Sequence, residues 1–259
     1  MRYYAVDAFA EQPFHGNPAG VCLLDVPIDT KLMQKIAFEN NLSETAFVVE
    51  REDGSYNLRW FTPQTEIDLC GHATLASGFV LMTQVCPEKT ETVFHTQSGV
   101  LSVTREEDIY TLDFPSRAPE PCAVPQGLED VLGIRIVETH LSRDLMVLAE
   151  SEEVVAAMCP DFAQLKKMED FFAVIVTAKS RTYDFVSRFF APRAGIDEDP
   201  ATGSAHCTLI PYWSKKLGKQ QMRAAQLSQR GGVLYCRDEG ARVKIGGKAV
   251  LYLSGQIHL

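Results

Sequence analysis

The chain has 259 residues, of which 46% are hydrophobic and 23% charged, and carries a formal net charge of −9 at pH 7. This is the composition of an ordinary globular protein, one large or two ordinary domains, able to form a core without metals or disulfides. The acidic balance, with no basic run longer than Lys215-Lys216, argues against a nucleic-acid partner.

In chain order, Tyr3–Phe9 and Val21–Leu24 read as strands on either side of a Gly16-Asn17-Pro18-Ala19-Gly20 turn. Leu32, Met33, Ile36 and Ala37 recur at helical spacing within Asp29–Asn40, with Asp29 or Thr30 as N-cap. Thr45–Glu50 and Asn57–Phe61 alternate or run apolar as strands do, and Ala73–Met82 reads as a buried helix of small and apolar residues. Three strands follow at Thr92–Thr96, Val100–Arg105 and Tyr110–Phe114, and then Pro115–Pro125, which lacks periodicity and is the best linker candidate. Beyond it come strands at Val137–Leu141 and Leu145–Leu148, a helix in Glu152–Met158, and strands at Phe171–Thr177 and Asp184–Phe190. A second buried helix is expected from Ser204 to about Lys216, followed by strands near Gln226–Leu227, Val233–Arg237, Arg242–Ile245 and Ala249–Leu253. Short turns between strands favour antiparallel sheet, and two apolar helices point to an α+β fold in which each sheet wraps one helix.

The chain repeats itself. Arg59-Trp60-Phe61-Thr62-Pro63 runs on to Cys70-Gly71-His72-Ala73-Thr74, and Arg188-Phe189-Phe190-Ala191-Pro192 runs on to Thr202-Gly203-Ser204-Ala205-His206. The prolines are offset by 129 (192 − 63) and the glycines by 132 (203 − 71), and Gly99 and Gly232 continue the series at 133 (232 − 99). A unit of this length implies two similar domains rather than a solenoid. The halves are expected at 1–115, completed by a C-terminal strand near 250–259, and at 116–249, with a ligand cleft where they face each other.

Gly71 and Gly203 each open an expected helix, whose free N–H groups and positive dipole end suit an anion such as a substrate carboxylate. A lone glycine there is more often a tight entry turn; the repetition makes the site reading competitive. His72, Asp199 and Ser204 flank these turns. Glu44 lies where a helix hands over to an apolar strand, so a partly buried carboxylate suited to proton transfer is expected. Taken singly, Glu44 also reads as a solvated loop charge or a partner of Ser43, His72 as a structural histidine, Asp199 as a helix-entry signal, and Asp197-Glu198-Asp199 as a solvated turn.

No zinc spacing, phosphate-cradling glycine loop, dinucleotide fingerprint or serine-hydrolase elbow is present, so no metal or nucleotide cofactor is expected. Seven scattered cysteines without a CxxC pair read as reduced thiols. With no targeting segment read after Met1 and apolar runs as short as Phe171–Val176, a cytoplasmic protein with no membrane partner is expected.

Asn17-Pro18-Ala19-Gly20-Val21, Asn41-Leu42-Ser43-Glu44-Thr45-Ala46-Phe47, Arg59-Trp60-Phe61-Thr62-Pro63, Asp68-Leu69-Cys70-Gly71-His72-Ala73-Thr74 and Asp199-Pro200-Ala201-Thr202-Gly203-Ser204-Ala205 resemble, in order and over nearly the whole chain, the PhzF phenazine-biosynthesis family. The resemblance implies a diaminopimelate-epimerase-like fold of two pseudo-symmetric β-barrel-like domains, each around a central helix, and a homodimer. It also implies cofactor-free isomerisation like that of trans-2,3-dihydro-3-hydroxyanthranilate. Glu44 then matches the proton shuttle, His72, Asp199 and Ser204 its polar support, and the Gly71 and Gly203 amides the carboxylate clamp. Related epimerases place a thiol before the helix-entry glycine in both halves, whereas here Cys70 is matched by Thr202, which supplies no thiolate. Two other readings stand beside the isomerase: an epimerase or racemase of amino or hydroxy acids using non-thiol bases, and a metabolite-binding protein without turnover.

Overall fold

The computed structural model describes residues 1–259, which form two compact units: Met1–Asp113 with Gly246–Leu259, and Phe114–Ile245.

In the first unit, the strand Arg2–Ala8 pairs antiparallel with Asn17–Leu24 on one side and with the C-terminal strand Ala249–Gln256 on the other. Asn17–Leu24 lies parallel to Glu44–Glu50, which pairs antiparallel with Tyr56–Phe61. Tyr56–Phe61 in turn touches Glu91–Thr96 in parallel, and Gly99–Glu106 and Ile109–Pro115 complete an antiparallel meander. The sheet is therefore mixed, which corrects the antiparallel expectation. Parallel neighbours need a long crossover, and the helices Thr30–Asn40 and Gly71–Val80 provide it between the strands they separate in sequence.

The expected turn at Gly16–Gly20 is also corrected, because Asn17–Gly20 is strand, held from both sides by Ala5–Ala8 and, through Ala19 and Gly20, by Glu44 and Thr45. Ladder pairing on two edges outweighs the local preference of Asn-Pro and Gly for turns. Only Gly16 keeps a turn geometry, at φ +65°.

Asp29 caps the helix Thr30–Asn40 by accepting from the Lys31 N–H at 2.8 Å, and Asn41 closes it in the left-handed region. Its apolar face, Met33, Ile36 and Ala37, packs on Cys22, Leu24, Phe47, Val49 and Phe61. The helix Gly71–Val80 is different, since all of its residues are buried. It packs against Arg2–Ala8, Asn17–Leu24, Glu44–Glu50, Gly99–Glu106 and Ala249–Gln256, so the sheet curls around it. A Cβ on Gly78 would stand 2.8 Å from Val103 Cβ and Cγ1, and Val103 is fully buried. Gly78→Ala is therefore expected to lower the denaturant midpoint. Overpacking of about 1–3 kcal/mol outweighs a helix-propensity gain of at most about 1 kcal/mol.

In the second unit, Leu145–Ala149 runs parallel to Val174–Lys179, and Phe185–Ala191 runs parallel to Gln221–Gln226, again across helical connections. The helix Gly203–Leu217 packs on Gln221–Gln226 and Gly232–Asp238. It contains Pro211, which has no N–H for the Cys207 carbonyl, and the Arg117 backbone N–H donates to that carbonyl instead at 2.9 Å. The stretch expected as a linker is thus tied down: Ser116 N–H bonds Ala241, and Glu120–Cys122 forms a strand against Thr139–Leu141. The short helices Leu128–Leu132 and Phe162–Leu165 escaped prediction because one turn carries no periodicity.

Both units share one further device. Arg59 grips Glu66 through two bonds of 2.7 Å and lies over the Phe61 ring, while Arg188 grips Glu198 at 2.7 and 2.8 Å and lies over Phe190. A planar guanidinium can hold a carboxylate with both nitrogens and stack at the same time. Each pair pins the short strand, Glu66–Ile67 or Ile196–Asp199, that leads towards a glycine-initiated helix.

Candidate active site

Glu44 is the first residue of its strand and sits opposite Ala19 in the parallel ladder. Side chains alternate along strands, so Glu44 and Asn17 share one face of the sheet. His72, the second residue of the helix Gly71–Val80, meets them there: its Nε2 lies 3.0 Å from Glu44 Oε2, and Asn17 Nδ2 donates to its Nδ1 at 3.1 Å. In the neutral ring Nδ1 accepts and Nε2–H faces the carboxylate; in the protonated ring both nitrogens donate, and the Asn17 amide turns its oxygen to the Nδ1–H. The approach to Oε2 is close but not in line, which leaves that buried oxygen without a well-aligned donor. Glu44, His72 and Asn17 are 8%, 5% and 0% exposed.

Cys70 completes this group. Its Sγ lies 3.6 Å from His72 Nδ1 and 3.9 Å from Nε2, nearly equidistant and so along neither nitrogen's axis. Burial, and then the Glu44 charge, push the thiol pKa up. A neutral thiol beside the ring edge is not an activated nucleophile or base. For His72, burial opposes the charged ring, but Cys70 and Glu44 outweigh it, and its pKa is raised well above the ordinary histidine value. With the thiol held neutral, the Glu44 carboxylate at 3.0 Å is the physical cause that matters.

Cys70 occupies the N-cap but makes no side-chain capping bond. The first-turn N–H groups, beginning with Gly71, are therefore not closed off by an oxygen side chain, and the dipole end suits an anion. Thr74 Oγ1 donates to the Cys70 carbonyl one turn on, fixing the helix start from behind.

The second unit builds its helix start differently. Asp199, a site candidate whose acidic run also read as a solvated turn, is a buried strand residue opposite Phe189. Thr202 Oγ1 donates to Asp199 Oδ2, the Thr202 N–H donates to Gln226 Oε1 at 2.8 Å, and Gln226 Nε2 donates to the Asp199 carbonyl at 2.6 Å and to Thr202 Oγ1 at 3.1 Å. Gly203 opens the helix and Ser204, half-buried, follows it. His206 Nδ1–H donates to the Thr202 carbonyl at 2.9 Å, the place that Thr74 takes in the first unit.

Register shows what the repeat does not preserve. Phe47 pairs with Arg59 and Val176 with the corresponding Arg188, so the position matching Glu44 is Ala173 (44 + 129), which is 2% exposed. The first unit carries a carboxylate at the start of its strand, and the second carries a methyl group one residue before Val174–Lys179. Likewise Cys70 and His72 correspond to Thr202 and Ser204.

The model of a family described as phenazine biosynthesis-like protein matches residues 6–255. An uncharacterized isomerase of Pseudomonas aeruginosa is 53% identical, covering 100% of this chain and 99% of that one. A crystal structure of a PhzF-family phenazine biosynthesis protein from Enterococcus faecalis superposes with a TM-score of 0.98 at 50% identity, over 100% of this chain and 99% of the other. The chain belongs to the phenazine biosynthesis-like (PhzF) family. It is an isomerase of that family. A predicted epimerase of P. aeruginosa, at 19% identity and a TM-score of 0.76 over 99% and 98% of the two chains, shares the fold alone.

In this PhzF-family chain the first unit brings together Glu44, Gly71 and His72, and the second holds Asp199, Gly203 and Ser204 around its own helix start. Two residues of these clusters were missed. Asn17 stood in a segment read as turn, and Gln226 was read only as the start of a strand, although it is 1% exposed. A buried amide in an otherwise apolar strand is the signal that could have marked Gln226. No helix is long and apolar enough to cross a membrane.

Proposed function

We propose that the protein is a cofactor-independent isomerase of a small carboxylate-bearing metabolite, with Glu44 as the single proton shuttle. The observation that supports this most strongly is the buried Glu44–His72 contact of 3.0 Å, with Ala173 in the matching place of the second unit. One carboxyl can remove a proton from one substrate carbon and return it to another, leaving atoms and charge balanced and requiring no second base.

The other parts have defined tasks in this scheme. The substrate carboxylate binds at the helix start of Gly71, where free N–H groups and the dipole favour an anion. His72, held by Asn17, keeps the Glu44 carboxylate oriented between turnovers. Fixing the substrate by its carboxylate supplies the orientation on which proton transfer depends. Asp199, Ser204 and the Gly203 amide are the second unit's candidates, and their parts are tested by separate variants. The substrate class resembles a dihydro-hydroxyanthranilate in carrying an acidic C–H near a carboxylate.

The test is incubation of small unsaturated or hydroxylated carboxylates with the protein in deuterated water. Isomerisation with deuterium at the newly protonated carbon, or washed into recovered substrate, is the expected result. Inversion at one stereocentre without a positional shift would favour the non-thiol epimerase, and binding with no chemical change would favour a metabolite-binding protein.

A further inference from the structure

We propose that Glu44, Cys70 and His72 form a binding site for a thiophilic divalent cation, with Zn2+ as the natural occupant, and that the ion inhibits the enzyme by taking Glu44 out of proton transfer. This regulatory part rests on the reading of Glu44 as the shuttle; the binding part does not.

One donor atom from each of the three side chains lies within 4.8 Å of the others, and all three residues are buried. The spacing of Cys70 and His72 in sequence matches no zinc signature, and only folding brings Glu44 to them. Tetrahedral Zn2+ binds thiolate at about 2.3 Å and imidazole or carboxylate at about 2.0–2.2 Å, which separates neighbouring donors by roughly 3.3–3.8 Å. The distances here bracket that range: 3.0 Å for His72 Nε2 to Glu44 Oε2, and 3.9 Å for Nε2 to Cys70 Sγ. The third separation, Glu44 to Cys70, lies within 4.8 Å, so the side chains must draw in around the ion to close the set.

A second observation points to a ligand. Glu44 Oε2 is buried and faced off line by the His72 Nε2–H at 3.0 Å, and a divalent cation between the two would replace that proton and bind the carboxylate oxygen directly. Asn17 also suits both states. Its amide nitrogen faces Nδ1 of a neutral ring, and a turned amide would offer its oxygen to the Nδ1–H of a ring metallated at Nε2, the usual outer partner of a ligating histidine. Three protein ligands leave a fourth position for water or a substrate carboxylate. The sulfur and nitrogen donors select Zn2+, Co2+ or Cd2+ over Mg2+ and Ca2+, which require oxygen ligands.

Chelator-treated full-length protein is titrated with Co2+ and, separately, with Zn2+. The expected results are one Co2+ per chain with a thiolate charge-transfer band and tetrahedral d–d absorption, competed away by Zn2+ and unaffected by Mg2+ or Ca2+. Cys70→Ser should lose the charge-transfer band and weaken Zn2+ at least tenfold, roughly the loss caused by removing even an outer partner. His72→Gln should weaken it similarly, and Cys159→Ser, at an exposed cysteine, should change nothing. Zn2+ should also suppress deuterium exchange, and chelator should restore it. A band that survives in Cys70→Ser, or no saturable binding by the wild-type chain, overturns the site. Exchange that continues with Co2+ or Zn2+ bound, or rises with it, overturns the inhibitory role. If Cys70-dependent binding is found but no carboxylate undergoes exchange, the metal site stands and the isomerase reading fails.

Discussion

Glu44→Gln is expected to slow isomerisation and substrate deuterium exchange, with a loss in kcat of about 10²–10⁴-fold, the usual contribution of a positioned general acid–base group. Glutamine is nearly isosteric and keeps an oxygen towards His72 Nε2, so the fold and the carboxylate-binding helix start should survive. Binding of the substrate, read as KM or by titration, should change far less than kcat, because an interaction made only in the transition state is lost. His72→Gln separates support from catalysis. It removes the ring that faces Glu44 at 3.0 Å but leaves the shuttle itself, so a smaller loss in kcat than that of Glu44→Gln is expected. Exchange at the wild-type rate in Glu44→Gln would remove Glu44 from the mechanism.

The second large effect is on stability in acid. Burial depresses the His206 pKa from 6.5 to about 4, with its bond to the Thr202 carbonyl opposing the shift. Its ring is fully buried, its Nε2 has no hydrogen-bond partner, and the Phe185 ring lies 5.9 Å away. Between pH 4 and 6.5 the unfolded chain therefore binds a proton that the folded chain refuses, and stability must fall as pH falls through that window. At about 1.4 kcal/mol per pKa unit, the loss is on the order of 3 kcal/mol by pH 4. His72 acts in the opposite direction. Its raised pKa gives a contribution that is complete below 6.5 and lost as pH climbs through the higher folded value. Chemical denaturation from pH 4 to 9 should show a rise up to about 6.5. In His206→Asn, which keeps a donor for the Thr202 carbonyl, the acid slope should flatten. An unchanged slope would mean that His206 is protonated without penalty.

Much of the local structure was legible because it follows from short-range chemistry. The helix Thr30–Asn40 announced itself through Asp29 and the spacing of Met33, Ile36 and Ala37, and the helix at Gly71 through a run of small apolar residues. Where the reading failed, tertiary pairing had overridden local preference. Asn17–Gly20 carries turn residues yet is clamped into strand from two sides, and the proline-rich stretch after Pro115 is tied to the carbonyl that Pro211 leaves free. The acidic run ending at Asp199 looked solvated, but Arg188 and Thr202 each supply a partner that only folding provides.

The sequence alone determined the repeat, the two glycine-opened helices and the family, since each rests on residue identity and spacing along the chain. It could also say that the second unit has no thiol at the place matching Cys70, because Thr202 stands there. Tertiary structure alone decided which groups touch. A parallel ladder sets Glu44 on the face of Asn17, a buried helix brings His72 to both, and the same ladder register in the second unit puts Ala173 where a second carboxylate would stand. Contacts between strands and helices far apart in sequence are set by register and packing, which no local pattern encodes.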